Sequence, residues 1–198
     1  MPERSLTGHQ DAVYRVLFLD AATLATAGQD NTARIWRASD GRELHRLADH
    51  ADTVFGLAVG PTGVLATASR DHTVKLWDPR TGRNLRTLAG HTGPVTSVAF
   101  NPSGTRLATA GRDDTVRIWD PHDGRLLFTL TGHTDRVRAA AFLGDDGPVV
   151  SAAEDGTVRW WNLGVGEVLA NTCKAVGGLG EPAWHRLLPD VPYAPGCP

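Results

Sequence analysis

Two short motifs recur in step along this 198-residue chain, and their recurrence limits the fold more than any other property. The first sets an Asp six positions ahead of a Trp, in "AGQDNTARIWR" (27–37), "ASRDHTVKLWD" (68–78), "AGRDDTVRIWD" (110–120) and "AAEDGTVRWWN" (152–162). The second lies upstream of each, in "LTGHQDAV", "LADHADTV", "LAGHTGPV" and "LTGHTDRV", and places His9, His50, His91 and His133 at separations of 41, 41 and 42 residues. Chance does not hold two motifs in phase over four copies, so each copy is one structural unit stacked on the next.

Inside a unit the apolar residues alternate with the period of a strand. "VTSVAF" (95–100) is followed by "RLATA" (106–110), "TVRIW" (115–119) and "LLFTL" (126–130), with turn residues between them in "NPSG", "DD" and "PHDG". Each unit therefore reads as four short antiparallel strands, and the chain as an all-β array of blades packed face to face, the arrangement of a β-propeller. Gly56, Ser97 and Ala139 fall at one position of the first strand in successive units, where small side chains let neighbouring sheets approach. Arg15 stands there in the first unit, so either that face lacks a neighbour or the side chain reaches past it to water.

These residues resemble the WD repeats of the WD40 β-propeller family over residues 5–162, in units of approximately 5–46, 47–87, 88–129 and 130–162. Departures are small: Asp49 replaces the usual glycine before His50, and the closing dipeptide is Trp36-Arg37 in the first copy and Trp161-Asn162 in the last. The resemblance implies a structural tetrad in each blade. Its members here would be His9, Thr26, Asp30 and Trp36; His50, Thr67, Asp71 and Trp77; His91, Thr109, Asp113 and Trp119; and His133, Ser151, Asp155 and Trp161. The donors and acceptors suit the role: Trp donates, Thr or Ser does both, His bridges and Asp accepts.

That repetition also answers the reactive readings. Histidines serving four different blades do not converge on a metal or an acid–base pair. Ser151, His133 and Asp155 supply the residue types of a hydrolytic triad, yet Thr replaces the serine in the other copies with the same partners. The glycines near the C-terminus fit no phosphate loop. No catalytic residue, cofactor or metal is expected.

Composition excludes further classes. A net charge of −2 with a sequence pI of about 6.4 leaves no global footprint for nucleic acid, and no apolar run reaches the roughly 18–20 residues of a membrane span, so a cytoplasmic protein is expected. Cys173 and Cys197 make neither a disulfide framework nor a zinc signature; two free thiols or a single tail bridge remain open. The preference for Arg over Lys, with abundant Ala and Gly, points to a GC-rich bacterial genome.

What varies between copies is the rim that the resemblance assigns to the His loops and Asp turns. Tyr14, Phe55, Thr96 and Arg138 follow the His loops, with Ala12, Thr53, Pro94 and Arg136 two positions earlier, and Gln29, Arg70, Arg112 and Glu154 precede the tetrad aspartates. Aromatic and arginine side chains are the types enriched at binding hot spots, which selects Tyr14, Phe55, Arg70, Arg112, Arg136 and Arg138 as candidate partner-binding residues, joined by Gln29 for its place before Asp30. The arginines form either an arc for an acidic or phosphorylated peptide or ordinary solvated charge in an Arg-rich chain.

Four blades would each have to subtend about 90°, against about 51° for seven. Only "ERSL" (3–6) precedes the first Gly-His, while "EVLAN" (167–171) offers the last blade its own outer strand, a pattern expected of part of a longer propeller or of a ring completed by a second copy. Residues 163–198 would then hold that strand and a capping tail, with "EPAWHRLL" as a short helix and Trp184, Leu187, Leu188 and Tyr193 packed on the final blade. The tail resembles the endings that follow WD arrays in actinobacterial proteins. The expected function is a non-catalytic scaffold that binds a protein or peptide through its rim; the alternative is the sensor portion of a bacterial signalling ATPase or kinase.

Overall fold

The computed structural model describes residues 5–145 and 147–163, which form four antiparallel sheets in chain order. Blade one comprises β1 (Val13–Phe18), β2 (Thr23–Gly28), β3 (Ala33–Arg37) and β4 (Glu43–Leu47). Blade two comprises β5 (Val54–Val59), β6 (Leu65–Ser69), β7 (Thr73–Asp78) and β8 (Arg83–Ala89). Blade three comprises β9 (Val95–Phe100), β10 (Leu107–Gly111), β11 (Val116–Trp119) and β12 (Leu126–Leu130). Blade four has β13 (Val137–Phe142), β14 (Val149–Ala153) and β15 (Val158–Trp161) among the described residues. The strand expected at 167–171, the tail helix and cap, and both cysteines lie outside the described residues.

Alternation along each strand divides the blade into two faces, and both are buried where a neighbour exists. Ala25, Ala27, Ile35 and Leu47 of blade one meet Val54, Leu65 and Trp77 of blade two. Ala66, Val74 and Leu76 meet Val98, Leu107 and Trp119 in the next interface, and Ala108, Val116 and Ile118 meet Val137, Ala140 and Val149 in the third. Trp77, Trp119 and Trp161 thus pack towards the preceding blade while the small β2-type strand residues face the following one. A Cβ added at Gly56 would lie 3.5 Å from the Ser97 backbone, so small residues do sit at a close approach between sheets.

The first strand of every blade carries a β-bulge. Pairing skips from Val13 to Arg15, from Val54 to Gly56, from Val95 to Ser97 and from Val137 to Ala139, leaving Tyr14, Phe55, Thr96 and Arg138 as the extra residues. A bulge turns its extra side chain out of the regular alternation, which aims these four at the rim. Arg15 pairs opposite Ala27, on the face that packs against blade two. That face does have a neighbour, and the exposed Arg15 side chain reaches past it into the mouth between the innermost strands.

The glycine before each tetrad His has a packing cause. A Cβ at Gly8, Gly90 or Gly132 would lie 2.7, 2.8 or 3.1 Å from the guanidinium of Arg34, Arg117 or Arg159 respectively. The repeat with Asp49 instead of glycine is the one that carries Lys75 at the arginine position, and Lys75 turns to donate to the Thr87 hydroxyl at 3.1 Å.

Candidate functional site

In all four blades the tetrad side chains lie within hydrogen-bond distance in one order. Nε1 of Trp36, Trp77, Trp119 and Trp161 donates to the hydroxyl of Thr26, Thr67, Thr109 and Ser151 at 2.8, 2.9, 2.9 and 2.7 Å. Those hydroxyls lie 2.7, 2.7, 2.8 and 2.7 Å from Nε2 of His9, His50, His91 and His133. Nδ1 of each ring reaches Asp30, Asp71, Asp113 or Asp155 at 2.9, 2.7, 2.8 and 2.8 Å. A carboxylate only accepts, so Nδ1 carries a proton; in the neutral ring Nε2 then accepts the Thr or Ser hydroxyl, and every donor has its acceptor.

Two partners of the aspartates escaped the motif reading. The hydroxyls of Thr32, Thr73, Thr115 and Thr157 donate to the carboxylates at 2.7, 2.6, 2.8 and 2.7 Å. The backbone N–H just after each His, at Gln10, Ala51, Thr92 and Thr134, donates as well. The Asp-x-Thr spacing present in every copy was the available signal. Burial is the largest single influence on these four carboxyls and acts to raise their pKa values, but the combined hydrogen bonds from His, Thr and backbone outweigh it and hold all four well below the usual carboxylate range. The aspartates are anchored anions, unsuited to proton transfer near neutral pH. Among the described residues no group of three or more His, Cys, Asp or Glu side chains is placed to hold a metal.

The rim is built on this frame. The residue before each tetrad Asp donates its N–H to the first-strand approach: Gln29 to Ala12, Arg70 to Thr53 and Arg112 to Pro94 at 2.8 Å, and Glu154 to Arg136 at 2.9 Å. Four bulge residues then converge where the innermost strands meet. Tyr14, Arg15, Phe55, Thr96, Arg112 and Arg138 line a concavity of about 430 Å³. The Tyr14 and Phe55 rings are 5.8 Å apart, the Arg112 guanidinium lies 5.5 Å from the Phe55 centroid, and the Tyr14 hydroxyl donates to Gln29 at 2.6 Å. Nε of Arg112 is buried without a hydrogen-bond partner.

Not every candidate joins this cleft. Arg70 stands apart with Asp52 at 3.6 Å, and Arg136 lies 3.9 Å from Glu154, which also binds Arg138. Arg15, which the motif reading treated only as a packing anomaly, lines the cleft instead. Among the described residues neither Arg15 nor Arg112 has an acidic partner, so the cleft presents two uncompensated guanidiniums and a third shared with Glu154.

The family described as "WD domain, G-beta repeat" matches residues 1–37, 41–78, 82–120 and 124–162. No curated protein sequence matches the chain. Among solved structures, "Structure of U3-55K" and "Crystal structure of RRP9 WD40 repeats" are each similar at 28% identity and a TM-score of 0.76, over 81% of this chain and 51% of theirs. The chain therefore spans about half the length of each. Four family matches in phase, on a frame of four WD-type sheets, show that the chain belongs to the WD40 repeat family.

Proposed function

We propose that this protein is a non-catalytic interaction module whose rim cleft binds an acidic or phosphorylated peptide. WD40 repeats generally serve as protein-interaction scaffolds, and the observation that carries the finer reading is the meeting of Tyr14, Phe55, Arg15, Arg112 and Arg138 in one concavity. The Arg112 guanidinium lies over Phe55 with no acidic partner among the described residues, which leaves its charge for an anionic acceptor, while Tyr14 and Phe55 offer apolar area to the peptide chain. Carboxylate and phosphate share the geometry that an arginine fork recognises. The four tetrads are assigned a structural role: they fix the loops from which the cleft side chains project.

Selection from a random peptide library, with and without prior phosphorylation of its serines and threonines, tests the reading. Peptides enriched in Asp, Glu or phosphoresidues are the expected outcome, with enrichment lost for the Arg112→Glu protein. Recovery of apolar or basic peptides, equally well by both proteins, would overturn it.

A further inference from the structure

The two ends of the array carry the two halves of an interface that recurs inside it. In each internal interface, two positions on a blade's third strand are buried against the next blade. Ala33 and Ile35, Val74 and Leu76, and Val116 and Ile118 are all no more than 1% exposed. Their counterparts in the last blade, Val158 and Trp160, are 70% and 61% exposed. The receiving positions lie on the first strand, in register with the tetrad hydroxyl residue: Leu57 opposite Thr67, Val98 opposite Thr109 and Ala140 opposite Ser151. Leu57, Val98 with Phe100, and Ala140 with Phe142 pack into the three interblade clusters. In the first blade the corresponding Val16, opposite Thr26, and Phe18 are 65% and 64% exposed.

We propose that a second copy of this chain covers both ends: Val158 and Trp160 of each protomer pack on Val16 and Phe18 of the other, closing a two-fold ring of about eight blades, within the propeller range. Two arguments favour a second copy over another occupant. The ends are complementary rather than merely apolar: Val158, Val16 and Phe18 repeat residues that already meet within the chain, and Trp160 stands where Ile35, Leu76 and Ile118 insert. One end needs an inserting face and the other a receiving face, and another array of the same kind supplies both at once. This inference stands on the blade faces and is independent of what the rim binds.

The test is the mass of the full chain in solution by light scattering, expected at twice the 21.2 kDa of one chain. Phe18→Arg and Trp160→Glu should each give a monomer. An equimolar mixture of the two should restore the dimer, because one interface is then wild type and the other opposes Arg to Glu. Hydrogen exchange of the unaltered chain provides a reading that does not depend on variants folding: backbone amides of 13–18 and 158–161 should gain protection together as concentration rises. A monomeric wild-type mass, a dimer indifferent to both substitutions, an open series of larger species, or protection of 158–161 alone at every concentration would each overturn the proposal.

Discussion

Trp119 donates to a hydroxyl that is wholly buried and bonded onward, so deleting the donor strands its acceptor. Trp119→Phe keeps most of the apolar volume and should lower unfolding free energy by about 1–3 kcal/mol, read as a shifted urea midpoint with unchanged slope. The turn residue after each tetrad Asp has a different constraint: Asn31, His72, Asp114 and Gly156 have φ of 63, 71, 62 and 78°, the left-handed region. Gly156→Val forces a β-branched residue into it and should cost about 1–2 kcal/mol in the same assay. The tetrad aspartates add a pH dependence. Because their folded pKa values lie below the unfolded one, their contribution is complete above the unfolded carboxylate pKa of about 3.9 and drains away as pH falls through the lower folded values. Urea midpoints should therefore hold steady down to about pH 5 and drop below about pH 4. Asp113→Asn should be less stable at neutral pH but less sensitive to acid. The residues of these networks were legible in the sequence because each occupies a fixed place in a repeated motif. The supporting Thr32, Thr73, Thr115 and Thr157 stood in the same repeated stretches, but position alone does not tell a strand residue from a hydrogen-bond donor.

A bulge in the first strand of each blade breaks the alternating pattern and turns one extra side chain toward the rim. Periodicity located those strands, and place after the His loop with residue type singled out Tyr14, Phe55 and Arg138, yet neither could show that the residues were extra to the ladder, since a bulge changes register and not composition. Arg15 shows the converse: it shares a strand position with Gly56, Ser97 and Ala139, and only the reach of its side chain removes it from the blade interface. The outer elements hold a second coupling, between the glycine before each tetrad His and the arginine beneath it. Lys75→Arg should crowd Asp49 and cost about 1–3 kcal/mol, whereas Asp49→Gly combined with Lys75→Arg should recover most of the loss. A double-mutant cycle by urea denaturation measures that coupling, and simple additivity of the two substitutions would contradict it.

At the scale of the whole molecule, net charge conceals the basic cleft. The chain totals −2, yet three guanidiniums share one cleft, because the blades bring together residues from separate repeats, 14 to 138 in the sequence. No single repeat contains the cleft, which is why the motifs revealed the frame and left the choice among the rim arginines open. The open end faces were hidden for a similar reason: Val158 and Trp160 alternate like the buried third-strand residues of the other blades, and only the absence of a covering blade among the described residues exposes them. If the cleft acts through charge, peptide affinity should weaken as salt rises, with little change in the fold. The most direct measurement is the affinity of one acidic peptide, phosphorylated and unphosphorylated, for the wild-type chain and for Arg112→Glu by fluorescence anisotropy. The account expects tighter binding of the phosphorylated form by wild type and a loss of at least about tenfold in the variant, the 1.4 kcal/mol that a broken charge-assisted contact readily exceeds. Equal affinity of both proteins for both peptides would contradict it.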